Sequence, residues 1–228
     1  MPFLRSDPQV VATISTLAGW TSAVQLNPEA PDCPNLLEVR ADLLLQNDAD
    51  LPGSLLDLPL PFILTVRHPS EGGQAPLDTE SRMAVYRRFW GNAAAIDLEL
   101  ATALELGTVV TEAKQRGVAC VLSFHDFADT PSLAHLHGMA ETAGEWGADL
   151  FKVASTTDDV RQLCTLLSWV ESEKKLPVAA MGMGRLGKLS RPLLAQLGSQ
   201  LNYGYLDAPV VPGQWPAEEL RRLLNSLL

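Results

Sequence analysis

The sequence lacks the features that mark membrane and secreted proteins. No apolar run approaches the ~18–20 residues that a membrane-spanning helix needs. The first residues, MPFLRSDPQ, contain neither the basic nor the apolar region of a signal peptide. We therefore expect a soluble, cytoplasmic protein with no membrane partner.

Paired cysteines and an excess of basic residues are also missing. Cys33, Cys120 and Cys164 are widely spaced and form no CxxC pair, so we expect structural cysteines and neither a disulfide framework nor a zinc site. The chain has 17 Lys plus Arg against 27 Asp plus Glu, a net charge of −10. Because nucleic-acid binding requires clustered cations, we expect no nucleic-acid partner.

Eight short apolar segments alternate with helix-like segments along the 228 residues. The predicted strands are residues 10–14, 36–42, 62–67, 95–100, 118–124, 150–154, 178–181 and 201–206. This alternation and this length favour a closed (β/α)8 TIM barrel, forming a single domain over residues 1–228. In such barrels the active site lies at the carboxyl ends of the strands.

Helix signals separate most of the strands. Asp78 is a predicted N-cap for a helix over 79–91, and Gly117 a predicted terminator for one over 103–116. Further helices are predicted over 132–146, after residue 160, from about residue 190 and from about residue 216. The last of these has a leucine stripe predicted to be buried, made of Leu220, Leu223, Leu224 and Leu227.

Lys152 and His125 lie at the ends of neighbouring predicted strands. An isolated strand-end lysine most often forms a salt bridge, but a lysine in an apolar barrel near other cations loses its proton more easily. Its free amine then attacks a carbonyl carbon to form an imine. A histidine beside it is a candidate general acid and base. The remaining histidines, His68, His135 and His137, are predicted to be structural or exposed.

Charged residues cluster at other strand ends. The segment Glu38-Val39-Arg40-Ala41-Asp42 alternates charged and apolar residues, which on a strand places three charges on one face. Buried charges are costly unless they are paired or used. Arg67, Asp97 and Glu99 also lie at or near strand ends, and a flexible loop containing Glu71-Gly72-Gly73 follows Arg67.

The segment Gly182-Met183-Gly184-Arg185-Leu186-Gly187 matches the GxGxxG pattern of dinucleotide-binding proteins. That pattern normally opens a nucleotide-binding half, whereas only one predicted strand follows it here. Barrels commonly place anion sites in the loops after strands seven and eight. Ser190 and Arg191 follow the glycines, so the segment favours a carboxylate or phosphate site over NAD.

Seven segments together resemble the type I 3-dehydroquinate dehydratases, enzymes of the shikimate pathway. They are LLEVRADLL, ILTVRHPSEGG, AIDLEL, VLSFHDF, DLFKVAS, MGMGRLGKLSR and VPGQ, in the family's order and over nearly the whole chain. The resemblance implies a (β/α)8 barrel, often dimeric, that dehydrates 3-dehydroquinate to 3-dehydroshikimate in aromatic amino-acid biosynthesis. It implies no metal and no organic cofactor.

The resemblance also implies residue roles. Lys152 would form the Schiff base, His125 would be the general acid and base, and Glu71 would orient the histidine. The implied substrate-binding residues are Glu38, Arg40, Arg67, Arg191, which would hold the substrate carboxylate, Gln214 in the closing lid, and Thr13 on the first strand. One position departs from the family: the lid usually reads Ser-Ala-Pro-Gly-Gln, and here Val210 stands in place of the serine.

Two other classes of function stay open at this point. Another Schiff-base lyase or aldolase on the same barrel would share Lys152 but act on a different substrate. A non-catalytic barrel that binds a small anion or a partner protein would fit the change at Val210. The joint presence of Lys152, His125, Arg191 and Gln214 favours the enzyme.

Overall fold

The computed structural model describes residues 4–5, 7–45, 51, 54–75, 77–103 and 105–227. Residues 1–3 and 228 of the predicted domain lie outside the described residues. Residue 104 of the helix predicted over 103–116 also lies outside them.

Parallel strands in chain order form the centre of the molecule. The strands are β1 Gln9–Ile14, β2 Leu36–Arg40, β3 Phe62–Thr65, β4 Ala95–Glu99, β5 Ala119–Asp126, β6 Leu150–Thr156, β7 Val178–Met183, β8 Leu201–Tyr205 and the short β9 Trp215–Pro216. The sheet runs β7-β6-β5-β4-β3-β2-β1-β8-β9. Gln200 N donates to Val178 O at 2.9 Å, which brings β8 against β7 and closes the barrel. The predicted (β/α)8 barrel is confirmed.

Helices surround the strands. They are α1 Leu17–Val24, α2 Ala41–Leu44, α3 Thr79–Phe89, α4 Gly107–Gln115, α5 Leu133–Glu145, α6 Val160–Ser172, α7 Gly187–Gln196 and α8 Ala217–Leu227. Asp78 is the N-cap of α3, as predicted, and its side chain accepts a hydrogen bond from Ser81 N. Within the described residues, no helix combines the length and the apolarity needed to cross a bilayer.

The two-residue period of the strands sorts the barrel interior into layers, because alternate side chains point inward. An apolar cluster, which forms the floor of the barrel, takes one inward-facing residue from each of β1 to β8: Val11, Leu36, Ile63, Ala95, Val121, Leu150, Ala179 and Leu201. Two residues further along the strands come mostly polar side chains: Thr13, Glu38, Thr65, Asp97, Ser123, Lys152, Met181 and Tyr203. The apolar floor therefore supports a polar layer directly beneath the mouth of the barrel.

Several predicted boundaries were wrong. Strand β2 ends at Arg40, two residues before its predicted end at Asp42. Asp42 belongs to the helical turn α2, and its carboxylate pairs with Arg40. Strand β5 extends to Asp126, so His125 lies within it. Helix α7 begins at Gly187, before the predicted start at Ser190. In α8, Leu220 and Leu224 are buried, but Leu227 is 50% exposed because it lies in the last turn of the helix.

The closure of the barrel between β7 and β8 yields a stability prediction. The buried Ser199 Oγ accepts from Ala180 N at 3.0 Å, in place of a β8 backbone carbonyl. Ser199→Ala should lower the free energy of unfolding by about 1–3 kcal/mol, because it leaves a buried N–H without an acceptor. Urea unfolding measures this change. Ser168→Ala, on the exposed face of α6, is the control, and equal stability of the two variants would contradict the prediction.

Candidate active site

One cavity opens at the carboxyl ends of the strands, with a volume of about 150 Å³. All nine residues that the sequence assigned to the site line it: Thr13, Glu38, Arg40, Arg67, Glu71, His125, Lys152, Arg191 and Gln214. Four strands, the loops after β3 and β8, and the helix α7 contribute them. The sequence therefore identified residues that the fold brings together.

Lys152 lies on β6, in the polar layer above the barrel floor, and only 3% of its side chain is exposed. Its Nζ lies 2.5 Å from Asp97 Oδ2 and 3.7 Å from Glu38 Oε1. Glu38 is fixed in turn by the hydroxyls of Thr13 and Thr65, each donating to it at 3.0 Å. Two carboxylates therefore balance the charge of the buried amine.

Asp97 and Glu99 are buried carboxylates beneath the cavity, which the sequence pattern placed at strand ends without indicating a role. Both point inward from β4, and both are fully buried. Arg67 joins them, with Nη2 at 3.0 Å from Asp97 Oδ1 and Nη1 at 2.9 Å from Glu99 Oε1. Ser123 Oγ accepts from Arg67 at 2.7 Å and donates to Asp97 at 2.7 Å. The signal in the sequence was the i, i+2 spacing of two acids in AIDLEL, which places both on one face of a strand.

The α3 helix supports this ionic network from outside the barrel. Arg82 is buried, pairs with Glu99 and donates to Val66 O at 2.9 Å. Tyr86 OH donates to Asp97 O at 2.6 Å and accepts from Val66 N at 3.1 Å. Tyr86 is fully buried on α3. Its hydroxyl fixes the backbone of β4 next to the carboxylate that contacts Lys152.

His125 is held by Glu71. The Glu71 Oε2 atom lies 2.9 Å from His125 Nδ1 and 3.0 Å from the backbone N–H of the same residue. Glu71 ends a short 3-10 turn over Pro69–Glu71, and the loop then folds back through two glycines. Gly72 has φ of 88°, and a Cβ on Gly73 would lie 2.0 Å from Arg67 O. The two glycines therefore allow the loop after β3 to reach His125.

Burial and charge shift the pKa values of this pair. Burial, followed by the positive charges of Arg67 and Lys152, holds the pKa of His125 well below its ordinary value. Burial also raises the pKa of Glu71 to about 7, against the opposing effect of Arg67. His125 is therefore neutral at neutral pH. When Glu71 is ionised it accepts a hydrogen bond from Nδ1–H, which leaves Nε2 as the basic nitrogen of the ring.

Arg191 is buried without a carboxylate partner among the described residues. Its Nη1 donates to the carbonyls of Gly182, Gly187 and Gly213 at 2.7–2.9 Å, and its Nε donates to Tyr203 O at 2.9 Å. Burial lowers the pKa of Arg191 to about 10, so the guanidinium remains charged at neutral pH. The cavity therefore contains a fixed positive charge that an anionic ligand would balance.

The predicted lid, residues 210–214, covers one side of the cavity. Gly213 has φ of 85° and its carbonyl accepts from Arg191, while Gly184 N donates to Pro212 O at 3.2 Å. Gln214 Oε1 accepts from Val210 N at 2.7 Å and from Val211 N at 3.3 Å. These two bonds orient the carboxamide of Gln214, and they use the backbone of Val210 instead of its side chain.

The glycines of the GxGxxG segment serve packing. A Cβ on Gly182 would lie within 2.9 Å of Ser190 and Thr157, and one on Gly187 would lie 2.9 Å from Gly213 Cα. The carbonyls of Gly182 and Gly187 accept from Arg191. The segment thus positions an arginine and the lid, which favours the anion-site interpretation over dinucleotide binding.

Arg40 is paired with the acid two residues further along the chain. Arg40 forms a two-point pair with Asp42, with Nε and Nη2 at 2.8 and 2.7 Å from its carboxylate oxygens. The three cysteines are free, and Cys33 and Cys120 are buried, as expected of structural cysteines, whereas Cys164 is exposed.

A buried lysine, an oriented neutral histidine and an unpaired arginine in one cavity of a (β/α)8 barrel are the groups that Schiff-base chemistry on a small anionic ketone requires. The model of the type I 3-dehydroquinase family matches residues 21–228. The chain therefore belongs to the type I 3-dehydroquinase family, a family of hydro-lyases in the shikimate pathway. The predicted family and class of enzyme are confirmed.

Named relatives agree with this assignment. The chain is 32% identical to a 3-dehydroquinate dehydratase of Shouchella clausii, over 97% of this chain and 93% of that protein. It is 30% identical to the 3-dehydroquinate dehydratase of Methanococcoides burtonii, over 98% of this chain and 96% of that protein. The crystal structure of 3-dehydroquinate dehydratase from Geobacillus kaustophilus superposes with a TM-score of 0.82 at 26% identity, covering 97% of this chain and 91% of that one.

The lowered pKa of His125 predicts how its contribution to stability depends on pH. The unfolded chain gains a proton on this residue below about pH 6.5, whereas the folded chain resists protonation to a lower pH. The contribution is therefore complete above pH 6.5 and is lost as the pH falls below it. Between pH 7.5 and 5.0, the wild type should lose about 1 kcal/mol or more of unfolding free energy relative to His125→Asn.

Urea unfolding of both proteins at the two pH values measures the difference. His135→Asn is the matched control, because His135 is exposed on α5 and outside the cavity. Parallel losses in the wild type and His125→Asn would show that burial of His125 does not disfavour its charged form.

Proposed function

We propose that this protein dehydrates 3-dehydroquinate to 3-dehydroshikimate through a Schiff base on Lys152. The observation that carries the proposal is the joint placement of Lys152 and the Glu71–His125 pair in one cavity of a chain that belongs to this family. Named relatives that match nearly the whole chain are 3-dehydroquinate dehydratases.

The proposed reaction begins with attack of the Lys152 amine on the C3 ketone, which forms an imine and releases water. The protonated imine withdraws electrons and acidifies the neighbouring C2–H. His125 Nε2 takes that proton, giving an enamine, and then returns it to the C1 hydroxyl as that group leaves as water. A water molecule hydrolyses the imine and frees the product, so the net reaction loses one water. Glu71 holds His125 in the tautomer with the proton on Nδ1, so that Nε2 is free to take and return the substrate proton.

The other cavity residues hold the substrate in this proposal. Arg191 binds the carboxylate, because it is the buried cation for which the described residues provide no acidic partner. Fixing the carboxylate determines which C2 proton faces His125. Such positioning is worth several kcal/mol of activation free energy on the order-of-magnitude scale of oriented intramolecular reactions.

The remaining proposed contacts surround the ring of the substrate. Glu38, Arg40 and Arg67 lie at the ends of strands β2 and β3, and Gln214 approaches from the lid. The Thr13 hydroxyl donates to Glu38 Oε2 at 3.0 Å, so Thr13 would act on the substrate through this carboxylate. We propose that Thr13 contributes mainly by orienting that carboxylate.

Borohydride trapping tests the function directly. When the protein is incubated with 3-dehydroquinate and reduced, mass spectrometry should find a stable adduct on Lys152, because reduction converts the imine into a secondary amine. Lys152→Met should form no adduct and lose turnover by several orders of magnitude. Formation of 3-dehydroshikimate is followed by its ultraviolet absorbance.

Lys175→Ala is the matched lysine control, since its side chain is 83% exposed on the surface, and it should be trapped and turn over like the wild type. Circular dichroism must show that Lys152→Met folds, because the change leaves Asp97 and Glu38 without their cation. An adduct on another lysine, or turnover by folded Lys152→Met, would refute the assignment of Lys152.

We further propose that the chain acts in the cytoplasm as a homodimer of one-domain subunits spanning residues 1–228. The resemblance to the family supports the dimer. So does an exposed row of leucines on α7 and its C-cap, Leu189, Leu193 and Leu197, which follow each other at one-turn spacing. Light scattering should give twice the 24.7 kDa chain mass, and a mass of one chain would refute the dimer.

Cell fractionation tests the location, and limited proteolysis tests the single domain.

A further inference from the structure

The nitrogen of Lys152 lies between an anion and an aromatic ring. Asp97 Oδ2 is 2.5 Å from Nζ, and Nζ lies 4.4 Å from the centroid of the Tyr203 ring. The Tyr203 hydroxyl is buried and has no hydrogen-bond partner among the described residues. The ring face, and not the hydroxyl, is therefore the part of Tyr203 that contacts the reactive amine.

Charged and titratable groups from four strands and the loop after β3 lie around this nitrogen. They are Glu38 on β2, Arg67 in the loop after β3, Asp97 on β4, His125 on β5 and Tyr203 on β8. Burial alone would raise the pKa of Asp97, but Arg67 and Lys152 outweigh it and hold that pKa well below its ordinary value. Asp97 is therefore ionised at neutral pH.

An imine withdraws electrons strongly only when its nitrogen is protonated. The nitrogen of Lys152 is positive in the ammonium and again in the protonated imine, so a fixed anion and an aromatic face favour both forms. We propose that Asp97 is the catalytic counterion of the imine, and that Asp97 and the ring of Tyr203 together keep the imine nitrogen protonated during elimination. This inference rests on the Schiff-base function proposed above.

Glu99 provides a matched comparison on the same strand. Asp97 and Glu99 are two residues apart, both are fully buried, and both pair with Arg67. Asp97 contacts Lys152, whereas Glu99 pairs instead with Arg82. Replacing either acid removes one buried negative charge, but only the Asp97 change removes it from the reacting nitrogen.

The test measures turnover of 3-dehydroquinate from pH 6 to 10 for the wild type, Asp97→Asn and Glu99→Gln. In Asp97→Asn the pH at which kcat falls on the alkaline side should move down by about one unit or more, because the imine loses its proton earlier. At pH values above the midpoints of both limbs this corresponds to a loss of about tenfold or more in kcat. Glu99→Gln should lower the melting temperature but keep the wild-type position of the alkaline limb.

A second pair of variants keeps the test decisive if Asp97→Asn does not fold. Tyr203→Leu removes the ring and should move the alkaline limb in the same direction, with an effect of about 2–30-fold on kcat at pH values above the midpoints of both limbs. Tyr203→Phe keeps the ring and should keep the alkaline limb at its wild-type position. Identical pH profiles for the leucine and phenylalanine variants would overturn the role of the ring.

The outcomes separate this inference from the proposed function. If the wild type gives no borohydride adduct on Lys152, the Schiff-base function itself fails. If the wild type is trapped but Asp97→Asn keeps its alkaline limb, only the counterion role fails. An equal displacement of the limb in Glu99→Gln would also refute that role, because the effect would then come from the overall charge of the barrel.

Discussion

The structure depends on one constraint, which is that every charge placed inside the barrel must be matched. Among the described residues, five carboxylates and five lysine or arginine side chains are buried: Glu38, Asp42, Glu71, Asp97, Glu99, Arg40, Arg67, Arg82, Lys152 and Arg191. An isolated buried ion costs several kcal/mol, and its partner repays this only with good geometry and further hydrogen bonds. Arg67 meets this condition by joining Asp97, Glu99 and Ser123. The ionic network is consequently continuous from α3 to Lys152.

The exception to this matching identifies the place for a ligand. Arg191 donates only to backbone carbonyls, which stabilise its position without neutralising its charge. Since one of these carbonyls belongs to Gly213 in the lid, the same guanidinium that faces the cavity also holds the lid against the loop after β7. In the proposed function, the side chain that would bind the substrate carboxylate is therefore also the one that contacts the lid. A carboxylate in the cavity would complete the charge balance that the described residues leave open.

The alternation of side chains along buried strands predicted the fold and drew attention to the charged residues at the strand ends. The places of Thr13, Glu71 and Gln214 in the site came from the resemblance to the family. Asp97 was noted at a strand end but given no role, since its importance comes from a contact with Lys152, and these residues are 55 positions apart. The strand register that pairs Ser123 with Lys152 is set by the whole barrel, and neither strand's own sequence predicts it. The strand and helix boundaries at Asp42 and Ser190 were misplaced for a different reason, because the Arg40–Asp42 pair and the close approach of Gly187 to Gly213 overrode the local pattern.

The valine in the lid shows why a change of side chain need not change the geometry of a site. The contact that Val210 makes in the structure uses its backbone N–H, which any residue except proline supplies, and this bond fixes the carboxamide oxygen of Gln214. A serine at this position would add a hydroxyl facing the cavity, while Val210 and Val211 instead give the lid an apolar underside beside Met181 and Met183. The change therefore acts on the polarity of the upper cavity wall. The charged groups that surround Lys152 and His125 lie on the strands and on the loop after β3, so they are built independently of residue 210.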